Sequence, residues 1–77
     1  MSKPTRITNS IRALRLAHGQ MTQAQLAARI GVTRQTIIAI EQGRYSPSLE
    51  IAFQIARVFQ LPLDEVFQYP DGEEELR

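Results

Sequence analysis

Residues 21–42, MTQAQLAARIGVTRQTIIAIEQ, hold two short helical patterns with only Gly31-Val32-Thr33 between them. That spacing leaves the chain few ways to fold, because helices joined by so short a turn cross steeply and approach closely. The first pattern opens on Thr22-Gln23-Ala24-Gln25. A hydroxyl at the N-cap with an amide side chain three residues on satisfies two of the N–H groups that a helix start leaves open. Leu26, Ala27 and Ile30 recur at spacings that share one helical face. Gly31 ends the helix where a left-handed residue is needed. Val32 can plug the space under the turn, and Thr33 is a second good N-cap. Ala27 is small where the two helices cross, and a bulky side chain there would hold them apart.

The second helix, over 34–42, turns Ile37, Ile40 and Glu41 inward and Arg34, Gln35, Ile38, Ala39 and Gln42 outward. An exposed helix in a passive hairpin usually carries Glu and Lys pairs. This one carries Arg and Gln near its start with no acid beside them. Arg fits guanine O6 and N7, Gln fits adenine N6 and N7, and an Ile or Ala methyl can meet a thymine methyl. A helix, a Gly-containing turn and a second helix with those groups at its N-terminal end is the arrangement that reads base edges in the major groove. A solvated surface face is the plainer account of the same residues, and the missing acids weigh against it.

Composition is consistent with this. Seventy-seven residues make one small domain, 43% of them hydrophobic, which supports a core and argues against disorder. The chain has no cysteine, hence no disulfide, thiolate zinc site or thiol nucleophile, as in a reducing cytoplasm. No apolar run approaches membrane-spanning length and no signal-peptide core opens the chain. The net charge of +1 conceals a split: residues 1–48 carry seven basic side chains against Glu41 alone, whereas residues 49–77 carry two against seven acids. The basic half contains the hairpin, and a cationic face steers a polyanion and releases its counterions on contact.

Residues 1–8 are polar and aperiodic and read as a flexible arm, followed by a domain over 9–68 and an acidic tail over 69–77. A first helix is expected from an N-cap at Asn9 or Ser10 to Ala17, with Ile11, Leu14 and either Ala17 or His18 inward and Arg12 and Arg15 on other faces. His18 is the only histidine, so no metal site is expected, and it suits a helix end near the last carbonyls. Gly43 and Pro47 stop the second hairpin helix. In the loop between them, Arg44 and Tyr45 can grip sugar–phosphate oxygens; Tyr45 can equally pack on the domain. A fourth helix runs from Ser46 or Ser48 to about Gln60 with a wide apolar face. After Leu61-Pro62, residues 63–68 form a short fifth helix with Asp64 and Glu65 in its first turn.

The run TQAQLAARIGVTRQTIIAIEQGRYSPSLEIAFQIARVF resembles the lambda-repressor-like (Cro/cI, Xre-type) helix-turn-helix family over roughly residues 9–69. The combination TQxxLAxxxGV, IxxIExG and PSL carries the likeness. The resemblance implies an all-α, compact five-helix DNA-binding domain. It implies base contacts from Arg34, Gln35 and Thr36, with Ile38 and Ala39 following. Gln23, Thr33 and Arg44 would touch the backbone, where Gln42 on the outward face and Tyr45 in the loop are expected as well, and Arg15 and Glu41 would form an internal ion pair between the first and third helices. Gly19-Gln20-Met21 makes the first connection one residue longer than the family's commonest.

The expectation is a small cytoplasmic transcriptional regulator, a repressor by default, binding double-stranded operator DNA as a homodimer. It would need no cofactor and no metal. No catalytic Ser/His/Asp set, paired carboxylates or phosphate-cradling Gly loop argues for an enzyme, and the basic residues are not gathered on one membrane-binding helix. The alternative is an interaction protein, such as an antitoxin, whose Phe53, Phe59 and Phe67 and acidic tail dock a basic toxin.

Overall fold

The computed structural model describes residues 5–44 and 46–70. In chain order these form β1 (Thr8–Asn9), α1 (Ile11–Ala17), α2 (Gln23–Ile30), α3 (Arg34–Glu41), α4 (Leu49–Phe59), α5 (Leu63–Val66) and β2 (Phe67–Gln68). No helix among the described residues is long and apolar enough to cross a membrane.

Local chemistry sets the helix starts. Thr22 Oγ1 accepts the Gln25 N–H at 3.0 Å, and Gln25 Oε1 accepts the Thr22 N–H at 2.8 Å, which completes a capping box on α2. Thr33 accepts the Thr36 N–H at 3.2 Å to cap α3, and Ser48 accepts the Ile51 N–H at 3.2 Å to cap α4. The start of α1 is solved differently. Ser10 occupies the N-cap without a side-chain bond, and Asn9 Oδ1 accepts the Ile11 N–H at 3.1 Å in its place. At the other end of α2, Gly31 closes the helix in the left-handed region at φ 76°.

One core joins the elements. Ile11, Leu26, Ala27, Ile37, Ile40, Ile55, Ala56, Phe59 and Val66 cluster there, with Val32 and Leu63 partly buried against them. A buried Leu or Ile stabilises by about 1.5–3 kcal/mol relative to exposure. The side chains of Ile37 and Ile40 therefore fix which way α3 faces, and Ala27, only 3% exposed, lets α2 come close to it.

Four expectations are corrected. The arm over 1–8 is ordered at its end: Thr8 and Asn9 pair antiparallel with Gln68 and Phe67, and the Ser10 N–H donates to the Val66 carbonyl at 2.9 Å. Residues 1–4 and the acidic stretch 71–77 lie outside the described residues. The fifth helix stops at Val66 instead of reaching Gln68, because Phe67 turns extended (φ −123°, ψ 141°) and its backbone pairs with Asn9. The fold is thus helical apart from this ribbon. On α1 the inward set differs too: Ala17 is exposed, whereas Arg15, placed on another face by periodicity, is buried. His18 caps α1, its Nδ1 lies 2.9 Å from the Leu14 carbonyl, and its ring meets the Phe59 ring edge-on at 5.0 Å. Finally, Phe59 is core at 2% exposure while Phe53 is half exposed, so the three phenylalanines do not form one docking face.

Candidate nucleic-acid interface

The first turn of α3 projects from a fixed base. Thr33 caps it, Ile37 and Ile40 anchor its inner face, and Arg34 and Gln35 stand exposed at its start. Neither the Arg34 nor the Gln35 side chain makes a hydrogen bond or ion pair among the described residues. Two long side chains with unengaged donors, held on a rigid turn without an adjacent acid, suit bidentate recognition of a planar edge or an anion.

The remaining residues of that face are less free. Thr36 is half-buried, and its hydroxyl lies 3.1 Å from the Thr33 hydroxyl, so each occupies part of the other's bonding capacity. Ile38 and Ala39 are half-buried as well and offer only part of their apolar surface outward. Gln42 is the C-cap of α3, not its last helical residue; its backbone N–H donates to the Ile38 carbonyl at 3.0 Å and its side chain is exposed. Arg44 follows Gly43 on the surface, its backbone N–H tied to the Ala39 carbonyl at 3.0 Å. Tyr45 lies outside the described residues.

Beneath this surface runs a network that orders it. Arg15 Nε donates to Glu41 Oε2 at 2.7 Å, Nη2 donates to Oε1 at 3.2 Å, and Nη1 donates to the Met21 carbonyl at 2.8 Å. Gln23, the first residue of α2, donates its Nε2 to Glu41 Oε1 at 3.1 Å. One amide hydrogen of Gln23 is thereby used, and the second stays available at the helix start. A single carboxylate at the end of α3 thus holds side chains from α1 and α2.

Two features escaped the sequence. Asn9 Nδ2 donates to the Ile40 carbonyl at 3.0 Å while Asn9 Oδ1 caps α1, so one side chain links the ribbon, α1 and the last turn of α3. Its place just ahead of a helix start marked it as a cap; nothing in the local pattern marked the second bond. The other feature is the connection Gly19-Gln20-Met21. Its length is legible but its path is not: two successive left-handed residues, Gly19 (φ 72°) and Gln20 (φ 57°), turn the chain there. Met21 then donates its N–H to the Arg15 carbonyl at 2.9 Å.

Comparison with known proteins agrees with this geometry. A helix-turn-helix family model matches residues 11–66. An uncharacterised HTH-type transcriptional regulator of Methanocaldococcus jannaschii is 48% identical over 65 residues, spanning 84% of this chain and 97% of its own. The HTH-type regulator YgzD of Bacillus subtilis is 42% identical over 59 residues, spanning 77% of this chain and 88% of its own. The crystal structure of a Bacteroides fragilis protein shares the fold, with a TM-score of 0.68 at 24% identity over 80% of this chain and 98% of that one.

Proposed function

Because the chain belongs to the Cro/cI-like helix-turn-helix family of DNA-binding transcriptional regulators, we propose that it binds operator DNA sequence-specifically and represses transcription from it in the cytoplasm. In this reading α3 lies in the major groove. Arg34 and Gln35 read base edges, Thr36 supports them, and Ile38 and Ala39 meet thymine methyls. The Gln23 amide, Thr33, Gln42, Arg44 and Tyr45 touch the sugar–phosphate backbone and set the register. The observation that carries the proposal is the pair Arg34 and Gln35, exposed and unengaged on a helix whose opposite face is locked into the core.

One helix of eight residues contacts only a few base pairs, and each good bidentate contact discriminates by about 1–3 kcal/mol. A homodimer doubles the reading surface. Its two copies of α3 would fall on half-sites about one helical turn, roughly 34 Å, apart.

Selection of binding sites from random duplex DNA tests both parts. The expected result is a preferred sequence with two-fold symmetry. A preferred sequence without symmetry would remove the dimer, and recovery of sequences with no shared preference would remove the reading role of α3.

A further inference from the structure

Arg12 has no role in the interface described so far. It is exposed on α1, and its side chain makes no ion pair or hydrogen bond among the described residues. Two adjoining clefts meet at it. One, of about 540 Å³, is shared with Ser10, Gln23 and Gln42. The other, of about 490 Å³, is shared with Thr22, Gln23 and Arg34. Arg12 therefore lines clefts that also take in the start of α2 and, in one or the other, Arg34 and Gln42 from the two ends of α3.

The acid lining this region is Glu41. Both of its oxygens are engaged, by Arg15 and by Gln23, so its charge is already matched and the charge of Arg12 is not. A cleft with a neutralised floor, neutral donors from Ser10, Gln23 and Gln42, and one uncompensated guanidinium has the chemistry of an anion seat. A guanidinium fork fits two oxygens of a phosphate in parallel. The seat borders Gln23 and Gln42, the residues proposed to touch the DNA backbone, so the anion presented to it is a phosphodiester of the same duplex.

We infer that Arg12 is a backbone-phosphate contact that extends the DNA footprint from α2 and α3 onto α1. This rests on the DNA-binding reading above. A basic pair elsewhere provides the control: Arg29 and Arg57 share a cleft with Ile30 and Val58 that includes no residue of α1 or α3.

The test is fluorescence anisotropy of the full chain with a labelled mixed-sequence duplex across a salt series, with a thermal melt of each variant alongside. Arg12→Gln is expected to weaken binding to all duplexes alike and to make the slope of log affinity against log salt shallower by about one. Arg12→Lys should keep the wild-type slope, and Arg29→Gln should stay near wild type in both slope and affinity. A wild-type slope in Arg12→Gln overturns the inference and leaves the DNA-binding reading standing. Equal losses in Arg12→Gln and Arg29→Gln overturn it too, because they reduce Arg12 to a share of bulk charge. A wild-type chain that binds no duplex even at low salt removes the DNA-binding reading itself and Arg12's role with it.

Discussion

Arg15 and Glu41 face each other as a fork on a carboxylate, Nε to Oε2 at 2.7 Å, with both side chains more than nine-tenths buried (9% and 8% exposed). Removing one partner of such a pair leaves the other charge buried without a counter-charge, which costs about 3–5 kcal/mol. Glu41→Ala is therefore expected to lower unfolding stability by that order in urea titration. The double variant Arg15→Met/Glu41→Leu should recover most of the loss, since apolar replacement of a buried pair is often neutral. A loss below about 1 kcal/mol for Glu41→Ala would put the pair with solvent-screened surface bridges.

Arg34 and Gln35 bear on specificity. Arg34→Ala or Gln35→Ala is expected to cost about 1–3 kcal/mol of binding to the selected site and to relax preference at one base pair. Both side chains are exposed and unengaged, so the melting temperature should stay put. Competition binding against single-base variants of the site measures this; an equal loss on every sequence would move the residue from base reading to backbone contact.

Ala27 bears on the crossing of α2 and α3. At 3% exposure it has no room to grow, and overpacking a filled core typically costs about 1–3 kcal/mol. Ala27→Leu should lower the thermal midpoint. An unshifted midpoint would show slack between the two helices and overturn the reading of Ala27 as a tight crossing point.

Gln60 bears on the end of α4. It closes the helix in the left-handed region at φ 58°, where a Cβ is disfavoured by roughly 1–2 kcal/mol. Gln60→Gly should stabilise the domain by a fraction of that, since glycine also gains freedom in the unfolded chain. Chemical denaturation measures it, and a destabilised variant would mean that the Gln60 side chain contributes more than its backbone costs.

Much of the hairpin is legible in the sequence because its signals are local. Thr22 and Gln25, Gly31, and Thr33 each act within three or four residues, and the 3.6-residue period marks Ile37 and Ile40. What is not legible is made of partners distant in the chain. A two-residue strand such as Thr8–Asn9 is too short to show alternation, and its pairing depends on Phe67 arriving from the far end. On α1 the apolar period leaves Arg15 on another face, and only the position of Glu41 accounts for its burial. The bond from the Gln23 amide to the same carboxylate is likewise hidden, since the family resemblance gives Gln23 only a contact with the DNA backbone.

The ribbon joins the first and last elements of the described chain with antiparallel strands, Thr8 opposite Gln68 and Asn9 opposite Phe67. Chain before Thr8 and chain after Gln68 therefore depart from the same corner. Tension applied between those two ends would load the ribbon as a zipper, one rung at a time, where a sheared sheet would share the force among all its rungs. The next links in line are Ser10 to Val66 and Asn9 to Ile40. A pull or a tether at that corner is thus felt early at the end of the helix proposed to face DNA, before the hydrophobic centre of the domain yields.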